Sequence, residues 1–152
     1  MPLQISTPLQ ELHNALLLRK NIRLWIKRDD LIHPIIQGNK WRKLKYNIEE
    51  AKRTHKKYLI TFGGAYSNHI HATAAAGEYF GIKTIGIIRG EEVLPLNPTL
   101  TFTRQCGMQL HFVDRKMYRL KEKLLPHLNL LCLLYTSPSP RDQRGSRMPS
   151  SA

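Results

Sequence analysis

Apolar and polar positions along this 152-residue chain alternate between two periods. Tyr58 to Phe62 and Thr84 to Ile88 are short apolar runs of the buried-strand type, and Gln109 to Val113 reads as a third strand. Ile22 to Lys27 alternates apolar with basic residues and predicts a further strand. Positions 39 to 55 carry Leu44, Ile48 and Ala51 at helical spacing, with Glu49 and Arg53 placed to pair at i,i+4. Ser67 can cap a helix running through Ala72, Ala75 and Ala76 to about Phe80, where Gly81 suits the stop. Asn97 or Thr99 opens another helix that ends near Gly107, and Asp114 caps a basic helix reaching about Leu125. At the N-terminus, Ser6 or Thr7 followed by Pro8 predicts a short helix with Leu9, Leu12 and Leu16 on one face. Positions 28 to 37 form a loop broken by Pro34. Strands separated by helices imply an α/β fold: a parallel sheet between helical layers, joined by right-handed crossovers.

Composition changes this picture at the C-terminus. Cys132 to Asp142 resembles one reading frame of a transposon-end sequencing adapter. Ser146 to Ala152 resembles the rest of that adapter in the same frame. The plainer reading is a natural Ser/Pro-rich tail. Because both halves match in one frame, residues 132–152 are expected to be an adapter-derived, disordered tail that adds no core. Residues 1–131 are then the protein proper, cut off at its C-terminus. Without Arg141, Arg144, Arg147 and Asp142 the net charge falls from +13 to +11. That field favours acidic or phosphate-bearing partners. The basic residues are spread over many segments, so nucleic-acid binding is the lesser reading.

Cys106 is the sole cysteine before residue 132. A lone cysteine builds no disulfide framework, which points to a reducing compartment, and a small buried hydrophobe is its expected role. Ala15 to Leu18 is too short for a signal segment or a membrane span, so a cytoplasmic protein is expected.

Candidate chemistry sits in two turns that each follow a strand or loop and open a helix. In Gly38-Asn39-Lys40-Trp41-Arg42-Lys43, Lys40 and Lys43 share one helix face. The positive end of the helix dipole, partial burial and neighbouring cations favour a neutral, nucleophilic amine. One lysine can form an imine while the other meets a phosphate. The plainer reading is a solvated basic first turn. In Gly63-Gly64-Ala65-Tyr66-Ser67-Asn68-His69, the glycines permit positive φ and close ligand approach. Ser67 with free backbone N–H groups suits a carboxylate, and Asn68 can bond a planar ligand. The plainer reading is a Ser-capped strand-to-helix turn. The spacing of a P-loop is absent. His69 and His71 stand two apart and do not face each other on a helix, so no metal is expected. Asp29 and Asp30 are adjacent, point apart, and read as structural. An amine beside a carboxylate-binding helix start is suited to imine chemistry on an amino acid. Ligands in this class of sheet bind beyond the carboxyl ends of the strands, where both turns can converge.

Three motifs in order carry a resemblance: Trp25-Ile26-Lys27-Arg28-Asp29-Asp30-Leu31, then Gly38-Asn39-Lys40 with Arg42-Lys43-Leu44, then Gly63-Gly64 with Ser67-Asn68-His69. From about Thr7 to Arg119 the chain resembles the 1-aminocyclopropane-1-carboxylate deaminase / D-cysteine desulfhydrase family. That family belongs to the tryptophan-synthase-β-like, fold type II enzymes that use pyridoxal 5'-phosphate. The resemblance implies a three-layer αβα parallel sheet and a small amino acid as substrate. It makes Lys40 the lysine that holds the cofactor as an imine and moves a proton. Lys43 becomes a phosphate contact, and Asn68 the amide beside the cofactor's ring hydroxyl. Ser67 and His69 fall where the substrate carboxylate is held, with Ser67 counted among the catalytic residues. A homodimer is the expected assembly of the intact enzyme.

The chain departs from the family pattern in two ways. Deaminases of the family carry Gln where His69 stands, so His69 leans toward the desulfhydrase branch. No Gly/Thr-rich phosphate loop is present, nor a later region to hold the pyridine nitrogen, and family members are longer. The expectation is therefore an enzyme fragment with little turnover of its own. The alternatives are a basic nucleic-acid-binding module and a folded but inactive fragment.

Overall fold

The computed structural model describes residues 7–36 and 38–120 and the backbone of 133–136. Its elements are β1 (Leu9–Leu12), α1 (Ala15–Arg19), β2 (Leu24–Lys27), α2 (Asn39–Arg53), β3 (Tyr58–Gly64) and α3 (Asn68–Phe80). They continue as β4 (Lys83–Arg89), α4 (Pro98–Gln105), β5 (Gln109–Val113), α5 (Arg115–Arg119) and β6 (Leu133–Thr136).

The main sheet is parallel in the order β5-β4-β3-β6. Its strands bury both faces, which is why Tyr58–Gly64 and Lys83–Arg89 read as continuous apolar runs rather than alternating ones. One face packs Leu59 against Ile48 and Leu44 of α2 and Ala72, Ala75 and Ala76 of α3. On the same side Ile88 meets Ile70 and Ala74 of α3 and Leu100 of α4. The other face packs Ile60, Phe62, Ile85 and Ile87 against Met117 and Tyr118 of α5. The three-layer αβα arrangement is thus present, its second helical layer supplied among the described residues by α5.

The helix signals carry over closely. Ser67 Oγ accepts from the N–H groups of His69 and Ile70, at 3.2 and 3.4 Å. Gly81 ends α3 in the left-handed region at φ 67°. Asn97 caps α4 with Pro98 at its first position, and Asp114 caps α5. The basic helix expected to reach about Leu125 ends at Arg119, with Leu120 as its C-terminal cap; residues 121–125 lie outside the described residues.

Three local expectations are corrected. Leu9–Leu12 is a strand rather than a helix, paired antiparallel with β2 from Leu9↔Lys27 to Leu12↔Leu24. The Arg28 N–H donates to the Pro8 carbonyl, and the short helix starts later, where the Asn14 side chain accepts from Leu16 and Leu17. Thr7 caps nothing; its hydroxyl donates to Asp29 instead, at 3.0 Å. Cross-strand pairing has overridden a weak local helix signal. On α2, Arg53 pairs with Glu50 at 2.6 Å, not with Glu49, which stands 4.0 Å from Lys45. Finally, residues 133–136, read as part of a disordered tail, form β6 beside β3, with Tyr58↔Leu133 through Thr61↔Thr136 in register. A strand edge with unpaired N–H and C=O groups templates pairing with a short β-prone segment such as Leu-Leu-Tyr-Thr.

Candidate functional site

A cavity of about 900 Å³ opens at the carboxyl ends of β3 and β4. That falls within the roughly 300–1,000 Å³ common for small-molecule sites. Lys40 lines it from the first turn of α2. The turn after β3 lines it opposite, with Gly63, Gly64, Ser67, Asn68 and His69. Two turns more than twenty residues apart in sequence therefore share one concave surface.

The mouth of α2 is held by specific contacts. Gly38 precedes the helix at φ 57°, ψ −136°, a conformation that a side chain would strain. Its N–H donates to the Asp29 carbonyl at 3.0 Å. The Asp29 carboxylate receives Arg42 through two hydrogen bonds, at 2.7 and 2.8 Å, and the Thr7 hydroxyl. This bidentate clamp fastens the preceding loop to the helix turn that carries Lys40. Arg42 and Thr7 hold the Asp29 carboxyl down at about 2. Asp30 turns away to Arg28 at 2.7 Å, so the adjacent carboxylates have separate structural partners as read.

The diglycine turn is shaped by close packing. Neither Gly63 nor Gly64 has positive φ, contrary to the sequence reading. Gly63 is needed for space instead. A Cβ there would meet Ile70 Cγ1 at 2.5 Å and Ser67 Oγ at 2.7 Å. Without it, α3 sits close against the strand, and the Ser67 N–H donates to the Gly64 carbonyl at 3.0 Å. Because Ser67 Oγ already accepts two backbone N–H groups, its hydroxyl proton remains to donate. His69 is buried against the cavity while Asn68 is exposed to it.

Of the residues singled out in the sequence, Lys40, Ser67, Asn68 and His69 line the cavity together. Lys43 lies half-buried one turn further along α2 and is not among the lining residues. His71 stacks on Phe102 with ring centroids 4.2 Å apart, and burial lowers its pKa. No group of three or more His, Cys, Asp or Glu side chains among the described residues could hold a metal ion. Burial and Glu78 push the Cys106 thiol up to about 12, which leaves it no nucleophilic thiolate at neutral pH. No helix among the described residues is long and apolar enough to cross a membrane.

Sequence reading missed Tyr66, Arg89, Arg115, Tyr118 and Arg119, all of which line the cavity. A usable signal existed. Arg89 ends a buried strand and Arg115 follows another by two residues, the places where ligands gather on such a sheet.

No protein-family model matches the chain. It is 37% identical over 100 residues to a bifunctional D-cysteine desulfhydrase/1-aminocyclopropane-1-carboxylate deaminase of Arabidopsis thaliana, covering 62% of this chain and 25% of that protein. It is 39% identical over 113 residues to a putative 1-aminocyclopropane-1-carboxylate deaminase of Thermotoga maritima, covering 74% and 35%. Among solved structures, an ACC deaminase homologue superposes with a TM-score of 0.72 at 26% identity, covering 91% of this chain and 43% of the other. The chain thus spans about a quarter to a third of the length of these curated relatives. Over the part it spans, the chain is related by sequence and by fold to the 1-aminocyclopropane-1-carboxylate deaminase / D-cysteine desulfhydrase family.

Proposed function

We propose that this chain is part of a pyridoxal-phosphate-dependent enzyme that acts on a small amino acid, as a D-cysteine desulfhydrase or a 1-aminocyclopropane-1-carboxylate deaminase. The observation that carries the reading is the placement of Lys40 and the Gly63–His69 turn on one cavity. The described lining residues fit the cofactor: they offer a primary amine for covalent attachment and an amide for a ring hydroxyl. Lys40 would hold the cofactor and Asn68 its ring hydroxyl, with Lys43 a phosphate contact from the next turn of α2. When bound, the cofactor supplies an electron sink for bond breaking at the substrate's α-carbon.

The chain's own residues have simpler tasks. The start of α3 presents its positive dipole end to a carboxylate. Ser67 donates its hydroxyl proton to that carboxylate, and His69 closes the same side. The Lys40 amine would move a proton at a substrate carbon, taking the α-proton of D-cysteine or, with aminocyclopropane carboxylate, which has none, serving a ring carbon instead. With water consumed, D-cysteine would yield sulfide, pyruvate and ammonia, and aminocyclopropane carboxylate would yield 2-oxobutanoate and ammonia. A cytoplasmic location, a homodimer for the intact enzyme, and division into an enzyme-derived 1–131 and an adapter-derived 132–152 belong to the same proposal.

Borohydride reduction after adding cofactor, followed by peptide mapping, tests the reading directly. The pyridoxyl label is expected on Lys40, and Lys40→Ala should abolish it together with the visible absorbance. Label on Lys43, or on any other lysine, overturns the assignment. Lys43→Ala should weaken cofactor binding about tenfold or more, since a charge-assisted contact is worth roughly 1.5–3 kcal/mol.

A further inference from the structure

One wall of the cavity carries charge that the roles above leave unused. Arg89 ends β4, and Arg115 and Arg119 stand on α5; all three line the cavity. Strand register brings them together. Gly64 of β3 pairs with Arg89, and Arg89 pairs with Val113 of β5, two residues before Arg115. A Cβ at Gly64 would lie 3.9 Å from Arg89 Nη2, so this guanidinium reaches back over the diglycine turn. It also lies 5.8 Å from the ring centre of Tyr118, another lining residue.

Five arginines elsewhere in the fold are neutralised, while Arg19 on α1 has no ion pair among the described residues. Arg23, Arg28, Arg42, Arg53 and Arg104 each meet a carboxylate at 2.6–2.7 Å. Among the described residues, Arg89, Arg115 and Arg119 form no ion pair and no Asp or Glu lines their cavity. Guanidinium groups are planar forks suited to two-oxygen anions, and like charges gathered on a concave surface repel until an anion meets them.

We propose that Arg89, Arg115 and Arg119 form an anion subsite of this cavity, which takes an acidic group of the ligand beyond the carboxylate held at Ser67. That group is either the cofactor's phosphate or a second acid on a substrate other than D-cysteine and aminocyclopropane carboxylate, whose single carboxylate goes to Ser67; the shared chemistry is an oxyanion held by guanidinium forks. Only the identity of the ligand rests on the amino-acid reading above.

The test is calorimetric titration of the full chain with three probes: inorganic phosphate, aspartate against alanine, and pyridoxal phosphate against pyridoxal. The comparison is with the triple variant Arg89→Gln, Arg115→Gln, Arg119→Gln, and with Arg53→Gln as a control on an ion-paired arginine. Phosphate affinity should fall at least tenfold in the triple variant and hold in the control. Loss of an aspartate-over-alanine preference assigns the subsite to substrate; loss of a pyridoxal-phosphate-over-pyridoxal preference assigns it to the cofactor. The proposal is overturned if the triple variant, with an unchanged melting transition, binds all three anions as the original chain does. It is equally overturned if the original chain prefers neither anionic probe. Should the triple variant melt differently, each single substitution is titrated instead, with the same criterion at twofold or more. Borohydride trapping of pyridoxal, which has no phosphate, reports on Lys40 separately; its failure counts against the Lys40 assignment and not against the subsite.

Discussion

Single residues at this site hold the fold and, on the proposed function, also carry chemistry, and their substitutions separate the two. Ser67→Ala removes an N-cap that holds two N–H groups, which should cost about 1 kcal/mol. On the proposed function it should also weaken substrate binding while leaving cofactor affinity near its original value. Chemical denaturation and cofactor titration of the same variant measure both effects. Gly63→Ala places a methyl within 2.5–2.8 Å of Ile70 and Ser67 side-chain atoms. It should displace the start of α3 and lower the melting temperature more than Ser67→Ala does; an unchanged melting temperature would refute the packing argument. His33 is a third case. It is buried, its Nδ1 accepts the N–H groups of Ile35 and Ile36, and burial lowers its pKa from the ordinary 6.5. The unfolded chain therefore binds a proton more readily than the folded one, so stability is full above 6.5 and declines as pH falls below it. His33→Gln should flatten that decline in urea midpoints taken between pH 7.5 and 5.

At the scale of elements, the site depends on how two helix starts are anchored. The start of α3 is anchored by the strand before it. The start of α2 is anchored by Asp29, through Arg42, Thr7 and the Gly38 N–H. Asp29→Asn keeps the shape but loses the charge that binds Arg42. It should loosen the mouth of α2, speeding amide hydrogen exchange at Asn39 and Lys40 while leaving the interior of α3 unchanged. Because the Asp29 carboxyl sits at about 2 against its ordinary 3.8, this contribution is full above pH 3.8 and lost as pH falls through about 2. Further along α2, Leu44 is fully buried against β3 and α3. Leu44→Ala should cost roughly 2–5 kcal/mol and loosen against the sheet the helix that carries Lys40.

For the whole molecule, the decisive feature is the edge of the parallel sheet. Leu59, Ile60, Thr61 and Phe62 of β3 are fully buried, and β6 pairs along that strand. Ending the chain after Leu131 would leave a flat apolar strand with unpaired backbone groups. The shortened chain should self-associate at concentrations where the full chain does not, which sedimentation velocity would reveal. Identical sedimentation would mean that β6 does not protect the edge. The β1–β2 hairpin and α1 add exposed apolar surface, with Leu9 64% and Leu18 74% exposed. Such surface favours the same association.

What the sequence determined by itself was whatever local physics decides. Apolar runs of strand length, Ser67 and Asp114 as caps and Gly81 as a stop each specify their element through neighbouring backbone groups, so β3 to β5 and α2 to α4 were legible in kind and nearly in extent, and α5 in kind. Lys40 and the Ser67-Asn68-His69 turn were legible as candidates because each motif is contiguous, and they line one cavity. Tertiary structure decided what depends on partners distant in sequence. Leu9–Leu12 became a strand because Leu24–Lys27 lies beside it. Gly63 is required by Ile70 and Ser67 packing against it, a contact that no φ preference encodes. Arg89, Arg115 and Arg119 join Lys40 only because a parallel register aligns Gly64, Arg89 and Val113 at one end of the sheet. Each of these follows from pairing between segments, and a side chain's isolated propensity holds no record of the strand it will face.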